Sequence, residues 1–213
     1  MRFLVVDDHE SVLIGIEGFL TQQYPGVNVY SALTVESALA KVQISSPELV
    51  IMDLSIPMIN GEKASPESGL QLLRTLLEKY PMMNIVVQSA HVRSLARVKL
   101  LISAHEGGFT VADKSLSMKE ILRIIDWSLQ GLIYTPKEVR LGLEVKPEWL
   151  EVLELAFIEG LQDKTIADRM CVSERTVRHY WTKIQDALSV YPEDGKNIRI
   201  QTEIRARESG LID

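Results

Sequence analysis

The sequence predicts two domains of different class: an α/β domain wound as (βα)5 around a parallel sheet, then an all-α domain of four helices. Two observations carry this reading. Over residues 1–130, short apolar runs rich in Val, Ile and Phe alternate with stretches of helical periodicity, the pattern of parallel strands joined by crossover helices. From residue 147 onward only helical stretches remain, separated by tight turns. A length of 213 residues suits one large or two modest domains, either able to bury a core.

Taken in order, Phe3–Val6 form the first apolar run, ended by Asp7-Asp8. Val12, Leu13, Ile16, Phe19 and Leu20 then lie on one helical face, and Tyr24-Pro25-Gly26 stops the helix. Val27–Tyr30 make a second strand, and Thr34 caps a helix that turns Val35, Ala38, Leu39 and Val42 inward. The third strand, Leu49–Met52, is an unbroken apolar run entering Asp53 and ended by Pro57 and Gly61, as expected of a central strand buried on both faces. A polar stretch, residues 62–69, precedes a helix from Leu70 to about Tyr80. Asn84–Val87 are a fourth strand leading to Ser89, and a helix carrying Leu95, Val98, Leu101 and Ile102 follows. Phe109–Asp113 are the fifth strand, ending at Lys114, and Ser117 with Glu120 forms a capping box opening a helix to about Leu129.

Composition narrows the function classes. No apolar run approaches the roughly 18 residues of a membrane span, and the amino terminus meets acid too soon for a signal peptide. The single cysteine, Cys171, excludes an internal disulfide and a cysteine metal cluster, fits a reducing cytoplasm, and reads as a small buried apolar residue. The four histidines show no ligand spacing. Net charge is −6; residues 1–136 carry 11 basic and 14 acidic side chains, the remainder 12 and 15. Any nucleic-acid contact must therefore rest on local charge.

The polar residues that end the strands converge by topology. Asp7, Asp8, Asp53, Ser89 and Lys114 all fall at carboxyl edges, where open α/β sheets bind ligands. Three carboxylates together require a divalent cation or a nearby lysine, and Mg²⁺ suits an oxygen-only donor set. Asp53 is placed to hold that cation or to accept a phosphoryl group, with Lys114 on one side and the Ser89 hydroxyl as donor.

Residues 1–130 resemble the receiver domain of two-component response regulators, through Val5-Val6-Asp7-Asp8, Asp53-Leu54-Ser55-Ile56-Pro57 with Gly61, Ser89-Ala90 and Lys114-Ser115. The resemblance implies a flavodoxin-like fold, Asp53 as phospho-acceptor, and Mg²⁺ held by Asp7, Asp8, Asp53 and the backbone carbonyl of Ser55. It also implies Ser89 as switch hydroxyl and Lys114 as partner of the phosphate. About eight residues between Gly61 and Leu70 are additional to the family pattern. The family's switch aromatic falls on Val111, and Phe109, the nearest aromatic, reads as core.

Residues 131–146 read as a short linker with apolar anchoring, and 147–213 as the second domain. Pro147 opens a helix ended at Gly160, with Leu150, Leu153 and Phe157 at helical spacing and Trp149 as core or interface. Asp163 is expected to cap a second helix, and Ser173 a third running to Leu188, with a tight turn between. Val177, Trp181, Ile184 and Leu188 face inward, while Arg175, Arg178, His179, Thr182 and Lys183 face outward. Residues 164–183 hold five basic against two acidic side chains, so this acidic domain gathers positive charge on the element shaped for a major groove.

The segment resembles the LuxR-type helix-turn-helix DNA-binding domain, through Val152-Leu153-Glu154-Leu155, Gly160-Leu161, Lys164-Thr165-Ile166-Ala167, Met170, Ser173 to Arg178 and Lys183-Ile184. By that resemblance Arg178, His179 and Thr182 face bases, and Lys164, Arg175 and Lys183 touch phosphates. Trp149-Leu150 stand where the family has Arg-Glu, removing a structural ion pair, and Ala187 stands where it has a basic residue. A final helix, 197–210, carries Ile198 and Ile204, facing either a partner subunit or, as expected for both, the domain's own core.

Together these imply a response regulator of the NarL/FixJ type, not an enzyme. A sensor histidine kinase or small phosphodonor phosphorylates Asp53 and so controls DNA binding and transcription, the active form being a homodimer. The competing readings are a regulator with a protein-binding helical output domain, a constitutive transcription factor, and an aspartyl-phosphate phosphatase. The last needs a second acid two residues after Asp53, where Ser55 stands.

Overall fold

A computed structural model describes residues 1–89, 92–135 and 146–212. The chain divides into two compact units, each taken by itself: Met1–Val92 with Val98–Pro136, and Arg93–Arg97 with Lys137–Asp213.

The first unit is a parallel sheet flanked by helices. Its strands are β1 (Arg2–Val6), β2 (Asn28–Ala32), β3 (Leu49–Met52), β4 (Asn84–Gln88), β5 (Phe109–Ala112) and β6 (Ile133–Tyr134), in the spatial order β2-β1-β3-β4-β5-β6. Every ladder is parallel, and β3 pairs through Val6↔Met52 on one side and Met52↔Val87 on the other. Leu49, Val50, Ile51 and Met52 are at most 2% exposed, so the unbroken apolar run does mark a strand covered on both faces. The connecting helices are α1 (Glu10–Gln23), α2 (Val35–Ser45), α3 (Pro66–Lys79), α4 (Lys99–Ala104) and α5 (Met118–Leu129).

Three local departures have physical causes. The third helix starts at Pro66, inside the stretch read as polar loop: Ser65 accepts a hydrogen bond from Ser68 N, and Pro66 lacks the N–H that the first turn leaves unpaired anyway. The helix expected to carry Leu95 and Val98 opens instead as a 3-10 turn, Val92–Val98, before α4, and both residues are still buried. Beyond the five expected strands, Ile133–Tyr134 add to β5, with Tyr134 packed on Trp127 of α5 at 5.0 Å between ring centroids. These two residues lie in the stretch read as linker; its residues 136–145 fall outside the described residues.

The second unit holds α6 (Pro147–Phe157), α7 (Asp163–Arg169), α8 (Glu174–Ala187) and α9 (Ile198–Glu208). Val152, Leu153, Ile166, Val177, Trp181 and Ile184 form its core, with Trp149 partly buried against them. Gly160 takes a left-handed φ of 70° after α6. Ile198 packs against the core, but Ile204 is 52% exposed, contrary to expectation: Thr202 and Ala206 take the inward positions of α9. Cys171 is also exposed rather than buried, because it is the left-handed residue (φ 54°) in the turn between α7 and α8. Among the described residues no helix is long and apolar enough to cross a membrane.

Candidate phosphoryl-acceptor pocket and nucleic-acid interface

The strand order reverses between β1 and β3: the chain leaves β1 for β2 on one side and returns to β3 on the other. The carboxyl ends of β1 and β3 therefore flank the point where such sheets open a crevice. Asp7 and Asp53 sit there, each one residue past the paired Val6 and Met52, and Asp53 N donates to Val6 O at 2.9 Å. Ser89 follows β4 and Lys114 lies just beyond β5; Ser89 N donates to Ala112 O and its side chain is fully buried.

Lys114 joins the two central acids. Its Nζ lies 2.8 Å from Asp53 Oδ2 and 3.2 Å from Asp7 Oδ2, and both carboxylates are almost wholly buried. Partial burial alone would pull the ammonium down. The hydrogen bond and charge of Asp53, then those of Asp7, more than offset this and hold Lys114 above its ordinary value. Asp53 Oδ1 accepts from Leu54 N at 2.7 Å, which fixes the carboxylate's roll and leaves Oδ2 toward the lysine.

The acids of β1 gather a residue that sequence reasoning passed over. Donor atoms of Asp7, Asp8 and His9 all lie within 4.8 Å of one another, a group that can hold a divalent cation. His9 N donates to Asp7 Oδ1 at 2.9 Å. His9 Nδ1 is 2.7 Å from Asp8 Oδ1, yet that oxygen is shut off from solvent and no donor meets it in hydrogen-bonding geometry. A solvent-shielded carboxylate oxygen beside a second carboxylate and an imidazole nitrogen fits a divalent cation. The only sequence signal for His9 was its adjacency to two acids.

The loop after Asp53 is braced from two sides. Ser55 lies in the turn between the fully buried Leu54 and Ile56. Ile56 bridges Ser65, while the carbonyls of Pro57 and Met58 accept the first free N–H groups of α2, from Val35 and Glu36. Gly69 of α3 packs so closely under Leu54 that a Cβ there would collide with its backbone. Phe109 and Val111 are both core residues.

In the second unit, α7 and α8 form a helix-turn-helix. Ser173 caps α8, accepting from Thr176 N at 3.1 Å. Val177, Trp181 and Ile184 are buried, while Arg175, Arg178, His179, Thr182 and Lys183, with Lys164 on α7, are all exposed. One helix thus offers a cationic, hydrogen-bonding face opposite its apolar one, the format of a major-groove reader. Asp163, expected to cap α7, does not: Gln162 holds the cap position, and the Asp163 carboxylate is taken by Arg199 Nη2 (2.8 and 3.1 Å) and Trp181 Nε1 (3.0 Å).

Comparison with known proteins agrees with this fold. The family model for the response regulator receiver domain matches residues 3–126. Transcriptional activator protein ExaE of Pseudomonas putida is 29% identical over 206 residues, 89% of this chain and 91% of its own length. Response regulator GacA of Pseudomonas viridiflava is 26% identical over 228 residues, spanning all of this chain and 98% of its own length. RcsB from Salmonella enterica serovar Typhimurium, solved bound to promoter rprA in the presence of phosphomimetic BeF3−, shares the fold with a TM-score of 0.58 at 23% identity, over 96% of this chain and 97% of that one. With its family match spanning more than half of its length, this chain belongs to the response regulator receiver domain family.

Proposed function

We propose that the chain is a phosphorelay response regulator: Asp53 accepts a phosphoryl group, and that event controls DNA binding by α8 and hence transcription. The domains it would use are a receiver at 1–130, a linker at 131–146 and a helix-turn-helix domain at 147–213. The observation that carries the reading is the Lys114 ammonium bridging Asp53 and Asp7 at the β1/β3 crevice.

In the proposed transfer, Asp53 Oδ2 attacks phosphorus on a sensor histidine kinase or a small phosphodonor. A new P–O bond forms, the donor's bond to phosphorus breaks, and the leaving group departs with the electron pair. Asp7, Asp8, Asp53 and the Ser55 carbonyl would hold Mg²⁺, which supplies positive charge opposite the phosphoryl oxygens. Leu54 N–H keeps Asp53 Oδ1 engaged, so Oδ2 is the nucleophile. Lys114 exchanges its contact with Oδ2 for the incoming oxygens, and the Ser89 hydroxyl donates to them. Rearrangement at that edge would favour the active homodimer. In the second unit, Arg178, His179 and Thr182 would read bases, while Lys164, Arg175 and Lys183 would meet phosphates.

Phosphate-affinity electrophoresis after incubation with acetyl phosphate and Mg²⁺ tests the acceptor. Wild type should shift and Asp53→Ala should not; equal shifts refute the assignment. Retention of the same samples on duplex DNA at low salt tests the output, and no retention in either state refutes it.

A further inference from the structure

The apolar side of α8 carries a polar knot that the proposed function leaves unused. Trp181 is 3% exposed, and a buried indole N–H needs an acceptor. Asp163 of α7 supplies it, with Oδ1 3.0 Å from Nε1. The same carboxylate receives Arg199 Nη2 from α9, and the Arg199 guanidinium carbon lies 3.5 Å above the centre of the Trp181 ring. Phe157 of α6 meets the indole edge to face, with 5.5 Å between ring centroids. Three side chains from three helices thus close a triangle, and α6 braces it. Both ions are about one-third exposed, so net ion-pair energy is modest; geometry is what the triangle supplies.

Arg178, His179, Thr182 and Lys183 all lie within one helical turn of Trp181, on one side of it or the other. Successive residues are about 100° apart around a helix, so the rotation of α8 about its axis, which the held Trp181 ring helps to fix, sets the direction of all four outward side chains. Attraction to phosphates tolerates a small roll, whereas hydrogen bonds to base edges do not. We infer that Asp163 and Arg199 are positioning residues for sequence reading by α8, fixing its angle through Trp181 without touching DNA. The inference rests on the proposed DNA binding. This chain has Trp149-Leu150 on α6, with no charge at those positions to tie the helices together, and the Asp163–Arg199 pair ties α7 to α9 instead.

The test compares wild type, Arg199→Lys and Asp163→Glu, which keep every charge while displacing the planar stack or the carboxylate. Each is measured against random duplex and against sequences that wild type enriches from a random pool. Affinity for random duplex and its salt slope should stay within about twofold of wild type. Preference for the enriched sequences should fall about tenfold in each variant, and the double variant should lose little more, because the three groups act as one unit. Unchanged preference in both variants overturns the inference. An equal fall on both DNAs also overturns it, since damage to the domain as a whole would do that. Failure of wild type to retain any duplex sinks the DNA-binding reading itself, and the inference with it.

Discussion

Replacing Gly69 by Ala should damage the phosphoryl-acceptor pocket from behind. Gly69 lies in the first turn of α3, where an added Cβ would overlap the carbonyl oxygen, carbonyl carbon and Cα of Leu54. These are backbone atoms with no rotamer to escape into, so either α3 or the β3 terminus must move. Overpacking of this kind costs about 1–3 kcal/mol. Against it stands the usual gain of about 0.5–1 kcal/mol for Ala over Gly within a helix, so the net loss should be about 0–2.5 kcal/mol by those two figures, toward the upper end because the overlapped atoms are backbone. The displaced atoms belong to the residue whose N–H holds Asp53 Oδ1 at 2.7 Å, so the nucleophile shifts with them. A misplacement of about 1 Å can slow a positioned reaction on the order of a hundredfold. Urea denaturation gives the stability change, and the rate of acetyl-phosphate labelling gives the second effect. Gly18→Ala is the control: Gly18 lies within α1 with open space around it and should gain about 0.5–1 kcal/mol without altering labelling. Wild-type stability and labelling in Gly69→Ala would refute the close-approach argument.

Further expectations follow from the site and the helix-turn-helix. Lys114 is held above its ordinary value of 10.5 in the folded state, so its ion pairs stabilise fully below that pH, and the contribution is lost as pH rises through the raised value. Lys114→Met should therefore flatten the alkaline fall of the urea midpoint above about pH 10.5; an unaltered profile would contradict the pairing. Ser173→Ala removes the cap of α8 and should cost about 1 kcal/mol in thermal or urea unfolding. Arg178→Ala should weaken duplex binding. Measured against salt concentration, the slope should drop by about one unit if Arg178 meets a phosphate, or stay constant with relaxed specificity if it reads a base.

The pocket was legible because topology does the collecting. Once alternating runs imply a parallel sheet, every residue just past a strand lies on one edge, and Asp7, Asp53, Ser89 and Lys114 need no long-range information to be grouped. The charged face of α8 was legible for a similar reason, since helical period alone separates Val177 and Trp181 from Arg178 and Lys183. Contacts between elements not paired by a regular lattice were hidden. Asp163 looked like a cap because Asp favours that position, but Arg199 and Trp181, distant in sequence, claim its carboxylate. Cys171 looked like core because free cysteines usually are, but the turn puts it at a left-handed position facing water. Ile204 was expected inside by residue type, and the smaller Ala206 and the self-satisfied Thr202, which donates to Ile198 O, lie there instead.

The central claim, that the Asp53 carboxylate beside Lys114 is the phosphoryl acceptor, can be read from one chemical mark. Borohydride reduction converts an aspartyl phosphate to homoserine, which tandem mass spectrometry places at a single residue. After acetyl phosphate and Mg²⁺, homoserine at position 53 and not at 7 or 8 is the predicted result. Homoserine at another aspartate, or at none, would contradict it.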